Sequence, residues 1–370
     1  MGKELVILFL LVSGGVAALI WLYLRQPQFG RLPSGSYLKK LEASPHYANG
    51  QFQNLLPTPA LAEDTSLIAS LAKFVFTKRE RPVPAEPVPS VNVDLLGLDS
   101  RQDVVIWLGH SSYFLQLGGY RILIDPVFSA YASPVSLVNR AFAGANPYTA
   151  GDMPAIDCLL ISHDHWDHLD YPTVMALQDK IRQVICPLGV GGYFLQWGFA
   201  PERIREGDWF DRVELAADLA VELLPARHFS GRLLTRNKTL WAGFALLTAQ
   251  RRVYYSGDGG YGPHLKDIGD RFGGFDLAIM ENGQYDMRWR YIHMLPEEAA
   301  RAAVDVRART VLPGHAAKFA LANHPWDEPF RRITTASQDK PYRLLTPVIG
   351  QPVQLDDKEQ TFSHWWETIR

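Results

Sequence analysis

Ile161-Ser162-His163-Asp164-His165-Trp166-Asp167-His168-Leu169-Asp170 is the stretch on which the reading of this chain turns. Three histidines and three aspartates fall within ten residues. Upstream, Ile156 to Ile161 reads as a short buried strand. Downstream, Asp170 can cap a helix, Pro172 sits in its first turn, and an apolar-periodic run follows through Leu177. The cluster therefore lies on a strand-to-helix loop. His163 and His165 are two positions apart, so in extended chain they point the same way. Asp167 and His168 lie past the bend and reach a second point nearby. A histidine pair for one ion and an Asp-His pair for another is the geometry a dinuclear site needs. Imidazole and carboxylate donors suit zinc best, with iron or manganese also accommodated. The rival is a solvated polar loop with incidental histidines. The bunching of three of the chain's eleven histidines argues against it.

Outward from this loop, strand signals precede and follow. Val104 to Leu108 is apolar, and Tyr113 to Leu117 and Tyr120 to Ile124 flank Gly118-Gly119, a two-residue hairpin signature. Val184 to Cys186 follows the helix. Later strands are Val221 to Leu224, Trp241 to Leu247, Val253 to Tyr255, Leu277 to Met280 and Val311-Leu312, with a helix from Pro296 to Val306. Strand groups alternating with helices predict two packed sheets with helices outside. The second group carries further ligand candidates, each just after a strand: His228, Asp258 and His315. Alone, each reads as an ordinary loop residue. Together with the histidine loop they gather on one sheet rim.

The 370 residues allow one or two domains. Net charge is −2, with no basic excess for nucleic acid. Cys158 and Cys186 fall in apolar runs and read as buried core thiols. Leu5 to Leu24 is an unbroken uncharged run, long enough to span a bilayer, with Trp21 and Tyr23 suited to the interface. A membrane anchor is favoured over a cleaved signal, which lacks a small-residue cleavage site here. Arg25, Arg31, Lys39 and Lys40 lean towards a cytoplasmic main body. The expected organisation is an anchor over 1–24, a stalk over 25–90 that ends in a proline-rich strap, a globular domain over 91–350, and a polar tail over 351–370. A helical pattern runs from Ser66 to Phe76. Trp365 and Trp366 read as a packing patch.

His163-x-His165-x-Asp167-His168, followed by His228, Asp258 and His315, resembles the metallo-β-lactamase fold superfamily. Within it, Trp107-Leu108-Gly109-His110, Arg271 to Leu277, Arg288-Trp289, His293 with Pro296-Glu297-Glu298-Ala299, and Phe319 to Asn323 resemble the N-acylphosphatidylethanolamine-hydrolysing phospholipase D family. The likeness runs from about Gln51 to Phe330. It implies an α/β, four-layer αββα sandwich, here preceded by a transmembrane helix. It implies two zinc ions: one on His163, His165 and His228, the other on Asp167, His168 and His315, with Asp258 bridging. Asp125 braces the histidine loop, and Asp167 belongs to the catalytic centre as well as to the ligands. His293 is implied as a phosphate contact or proton donor. Trp166, Tyr193 and Trp289 are candidates for a lipid entrance, while His110, His264 and His324 read as structural. The implied activity is phosphodiester hydrolysis of a membrane phospholipid by a water activated between two ions. A homodimer is compatible with the chain. Glu281-Asn282-Gly283-Gln284, Ile292 and Gly259 depart from the family pattern, which keeps two alternatives open. One is a lactonase or other hydrolase of a soluble metabolite, and the other is a non-catalytic membrane-anchored binding module.

Overall fold

The computed structural model describes residues 2–59, 61–62, 79–136, 138–232 and 235–369. The helical pattern from Ser66 to Phe76 lies outside them. The uncharged amino-terminal run forms one helix, Gly2–Tyr23, exposed along its length and long and apolar enough to cross a membrane. At 1.5 Å per residue it is roughly 33 Å long. Its foot is a single 3-10 turn, Pro27–Phe29. Tyr23 meets Phe29 edge-on at 5.2 Å between ring centroids, and Phe29 meets Trp166 in the same way at 5.4 Å.

Within the expected stalk, residues 35–54 pack on the body. Helix Gly35–Glu42 is held through Glu206, which accepts from Tyr37 Oη at 2.5 Å and pairs with Lys40 at 2.9 Å. Two short strands, Tyr47–Ala48 (β1) and Gln51–Phe52 (β2), form a hairpin whose Phe52 is buried. Burying one phenylalanine is worth about 1.5–3 kcal/mol, enough to keep such a segment docked. Asn54 then clamps the backbone of His228, donating to its carbonyl at 2.7 Å and accepting from its N–H at 3.1 Å. The proline-rich strap lies across the surface, with the Val88 N–H donating to Ala143 O at 2.8 Å and Ser90 bridging to Ile349.

The first sheet starts with Val104–Trp107 (β3), Tyr113–Leu117 (β4) and Tyr120–Ile124 (β5), an antiparallel meander. The Gly118-Gly119 turn has φ of 56° and 84°, the left-handed pair that a tight hairpin turn requires. Ile156–Leu160 (β6), Ile181–Pro187 (β7) and Ile204–Gly207 (β8) continue it in parallel. The second sheet comprises Arg212–Ala216 (β9), Leu219–Leu224 (β10), Gly243–Thr248 (β11) and Arg252–Tyr255 (β12), all antiparallel. Phe275–Glu281 (β13), Ala308–Gly314 (β14) and Arg343–Leu344 (β15) then run parallel to β12. Pro352–Gln354 (β16), within the expected polar tail, pairs with β3 and forms the outer edge of the first sheet. Trp365 and Trp366 are buried beyond it, packed against Phe330.

Burial on both faces explains why these strands read as continuous apolar runs. Ile122 and Ile124 face the core between the sheets together with Val221, Phe244, Leu277 and Leu312. Leu123 faces the opposite way, into a second core with Val174 and Leu177 of helix Tyr171–Leu177. On the far side Ala278 and Met280 pack under helices His264–Phe272 and Pro296–Asp305. Three cores between four layers make an αββα sandwich. Cys158 and Cys186 are free and buried. Strands β5, β6 and β7 run in one direction, as do β12, β13 and β14, so the loops at their carboxyl ends collect along common rims.

Candidate metal centre

Asp125 ends β5 with a φ of 41°, in the left-handed region. Its buried carboxylate accepts from the Ser162 N–H at 2.8 Å, Ser162 Oγ at 2.5 Å and Tyr255 Oη at 2.6 Å. His168 Nδ1 lies 2.8 Å from the same carboxylate. This ties the start of the histidine loop to its far end and to the second sheet. His110 (φ 52°) and His315 (φ 58°) share the left-handed backbone. Such conformations cost on the order of 1–3 kcal/mol each and persist where surrounding structure imposes them.

Two groups of donors face each other. In the first, His163 Nε2 lies 2.8 Å and His228 Nε2 3.3 Å from His165 Nδ1. In the second, Asp167, His168, His315 and His110 converge within a single ligand-sized volume. Asp258 stands between them at the end of β12. Its Oδ2 lies 3.1 Å from His168 Nε2, 3.8 Å from His163 and 3.9 Å from His228, and its Oδ1 lies 3.3 Å from His315 Nδ1. The preceding Gly257 has a φ of 60°, and a Cβ there would meet Ala242 O at 2.6 Å. Only glycine allows the strand to deliver Asp258 at this height.

The donor set fits metal ions. His163 Nδ1 is held by Ser162 Oγ at 2.9 Å, and His228 Nδ1 donates to Ile292 O at 2.9 Å. Both therefore present bare Nε2 lone pairs to His165 Nδ1, which can donate its single proton to only one of them, whereas a cation among the three would satisfy every lone pair. His168 Nε2 is buried without a hydrogen bond. Burial holds His163, His228 and His315 well below the usual imidazole range and His165 at about 4, so all four are neutral and could serve as ligands. Burial pushes the Asp258 carboxyl up to about 7 against the pull of His168. A cation supplies the positive charge that this carboxylate lacks.

His110, read as structural, touches the donors: its Nε2 lies 2.8 Å from Asp167 Oδ2 and its ring 4.3 Å from that of His315. Trp166 and Tyr193 do not line the cavity above the donors. Alternation along the loop sends His165 to the centre and turns Asp164 and Trp166 away from it. Trp166 instead lies against Phe29 and under the Arg232 guanidinium at 3.7 Å, while Tyr193 donates to Asp164 at 2.9 Å. Trp289 does line the cavity, with Leu61, Phe229, Arg236, Ile292 and Leu321, around a space of about 340 Å³. His293 opens onto the same space. Its Nδ1 is hydrogen-bonded to Glu281, a fully buried carboxylate that also accepts from the Gly259 N–H at 2.8 Å. Burial raises the Glu281 carboxyl and lowers the His293 imidazole. Glu281 ends β13 beside the ends of β12 and β14, near the rim, where the sequence departs from the family pattern.

Residues 120–316 match the model of the beta-lactamase superfamily domain. The chain is 32% identical over 270 residues to N-acyl-phosphatidylethanolamine-hydrolyzing phospholipase D 1 of Caenorhabditis elegans, covering 68% of this chain and 76% of that one. The chain belongs to the metallo-β-lactamase superfamily. Within the superfamily it groups with the N-acylphosphatidylethanolamine-hydrolysing phospholipases D. An uncharacterized protein of Mycobacterium tuberculosis is 38% identical over 329 residues, 88% of each chain. Among solved structures, the metallo hydrolase Igni18 of Ignicoccus hospitalis has the same superfamily fold. It superposes with a TM-score of 0.53 at 20% identity, over 70% of this chain and all of that one (100%). The chain is thus a metal-dependent hydrolase of this fold.

Proposed function

We propose that this chain is a phosphodiesterase of the phospholipase D type, cleaving N-acylphosphatidylethanolamine-like lipids to phosphatidic acid and an N-acylethanolamine. The observation that carries the reading is the paired donor set with His293 beside it, in a chain similar to an enzyme that hydrolyses such a lipid. His163, His165 and His228 would hold one zinc ion, Asp167, His168 and His315 the other, and Asp258 both. When bound, the ions lower the pKa of water towards neutrality and neutralise charge growing on the phosphoryl oxygens. Asp125 fixes the tautomer of His168, and His110 orients Asp167. Leu61, Trp289, Ile292 and Leu321 exclude water from the reacting centre and give lipid an apolar wall. Glu281 accepts from His293 Nδ1–H, which leaves the Nε2 lone pair to take a proton from the attacking water and pass it to the departing head-group oxygen as the P–O bond breaks.

Purified full-length protein, assayed with added zinc over a phospholipid panel, should release phosphatidic acid and N-acylethanolamine, read by mass spectrometry. Turnover of a lactone panel with no lipid product would instead establish the soluble-metabolite reading, for which the Glu281 to Gln284 departure speaks. Metal loading without turnover of either would leave a binding module.

The amino-terminal helix would anchor the chain, with the catalytic body on the cytoplasmic side. Deleting residues before Gln26 should move the protein from the membrane to the soluble fraction while preserving its metal content. Turnover of detergent-dispersed lipid should survive and that of intact vesicles should fall, since tethering raises local concentration. Recovery of full-length protein in the soluble fraction with residues 1–24 missing would make the stretch a cleaved signal.

A further inference from the structure

Among the described residues, one cationic side chain other than histidine borders the cavity over the metal centre: Arg236. It stands exposed on the connection between β10 and β11. Its guanidinium carbon lies 4.8 Å from the centroid of Phe229, whose ring is 4.5 Å from that of His165 and 4.8 Å from that of His228. The carboxylates of the site are already engaged: Asp167 with His110, Asp258 with His168 and Glu281 with His293. No carboxylate among the described residues pairs with Arg236. Phe229 supports the guanidinium by its face and leaves the N–H groups to solvent and to whatever enters.

An unpaired cation at a mouth acts on the charge of an approaching substrate before any contact forms. A phosphodiester anion is attracted. A head group that carries an ammonium is repelled, whereas one whose amine is acylated is neutral and is not. Arginine stays charged at any working pH, so this filter does not titrate away. We infer that Arg236 makes the site select phosphodiesters whose leaving head group carries no ammonium charge. The selection acts by charge at a distance and rests on the phosphodiesterase reading. At a partly hydrated rim, one unit charge changes the preference by about five- to ten-fold.

The test compares two lipids with identical acyl chains, phosphatidylethanolamine and its N-acetylated form, in mixed micelles at low salt. The ratio of their kcat/KM values is measured for the zinc-loaded full chain and for R236K, R236Q and R236E. Metal content and turnover of bis(p-nitrophenyl) phosphate are measured alongside. R236K should keep the parent ratio, R236Q should lower it about five- to ten-fold, and R236E should lower it about as much again. Added salt should compress the differences. An unchanged ratio in R236Q and R236E, with full metal content and normal cleavage of the small diester, overturns the inference alone. If the parent protein cleaves no diester at all, the phosphodiesterase reading falls and takes the inference with it.

Discussion

Asp258→Ala should strip metal from both halves of the site and abolish turnover. Asp258 is the one carboxylate within 4 Å of nitrogens from both donor groups, at 3.1 Å from His168 and 3.8 Å from His163. Without it, five imidazoles and Asp167 must hold two dications, with Glu281 engaged by His293. Losing even an outer partner typically costs about 10- to 100-fold in metal affinity, and a shared direct ligand should cost at least that for each ion. Metal analysis of unchelated protein should fall from about two ions per chain in the parent to below about one in the variant. Turnover should drop by at least about 10²-fold, with partial recovery at millimolar zinc. A variant that keeps its full metal complement and normal turnover would remove Asp258 from the role of bridge.

His293→Ala should cut turnover by about 10²- to 10⁴-fold while the metal stays bound, the range for loss of a positioned acid or base. His293 borders the cavity outside the triad of His163, His165 and His228, and Glu281 fixes its Nδ1; it also falls with Asp258, Glu281 and His315 in a group able to hold an ion, so metal content is the readout that separates the two roles. Glu281→Gln tests the same dyad from behind. The amide cannot accept at both ends from Gly259 and His293, so turnover should fall by less than in the alanine variant. Metal loss in His293→Ala would make His293 a ligand, and unchanged turnover would make it a bystander.

The features read correctly from sequence are those that local spacing controls. The histidine loop was legible because its donors lie within six residues on one strand-to-helix connection. The meander of β3 to β5 was legible from its apolar runs and Gly118-Gly119. His228, Asp258 and His315 were recognisable because each follows a strand, and parallel strands deliver such positions to one rim. What failed depended on contacts between segments far apart. His110 reads as a loop histidine until β14 brings His315 against it. Glu281 stands out in the sequence as a departure from the family pattern near the rim, but its partner shows only when the loop before Pro296 returns His293 to it. Pro352 to Gln354 is too short for its register to show, so an edge strand passed for tail. Trp166 lies outside the cavity over the donors because the alternation that aligns His163 with His165 turns it the other way.

The seam between the two sheets has a consequence for how the chain matures. His110, Asp125 and the His163 to His168 loop belong to the first half of the chain, while His228, Asp258, Glu281, His293 and His315 belong to the second. The two proposed ion sets, His163 and His165 with His228 and Asp167 and His168 with His315, both cross the seam, as does the brace from Tyr255 to Asp125. Tight metal capture therefore comes late, after the long-range docking that limits folding of such topologies. A full pair of bound ions is then a receipt for finished assembly.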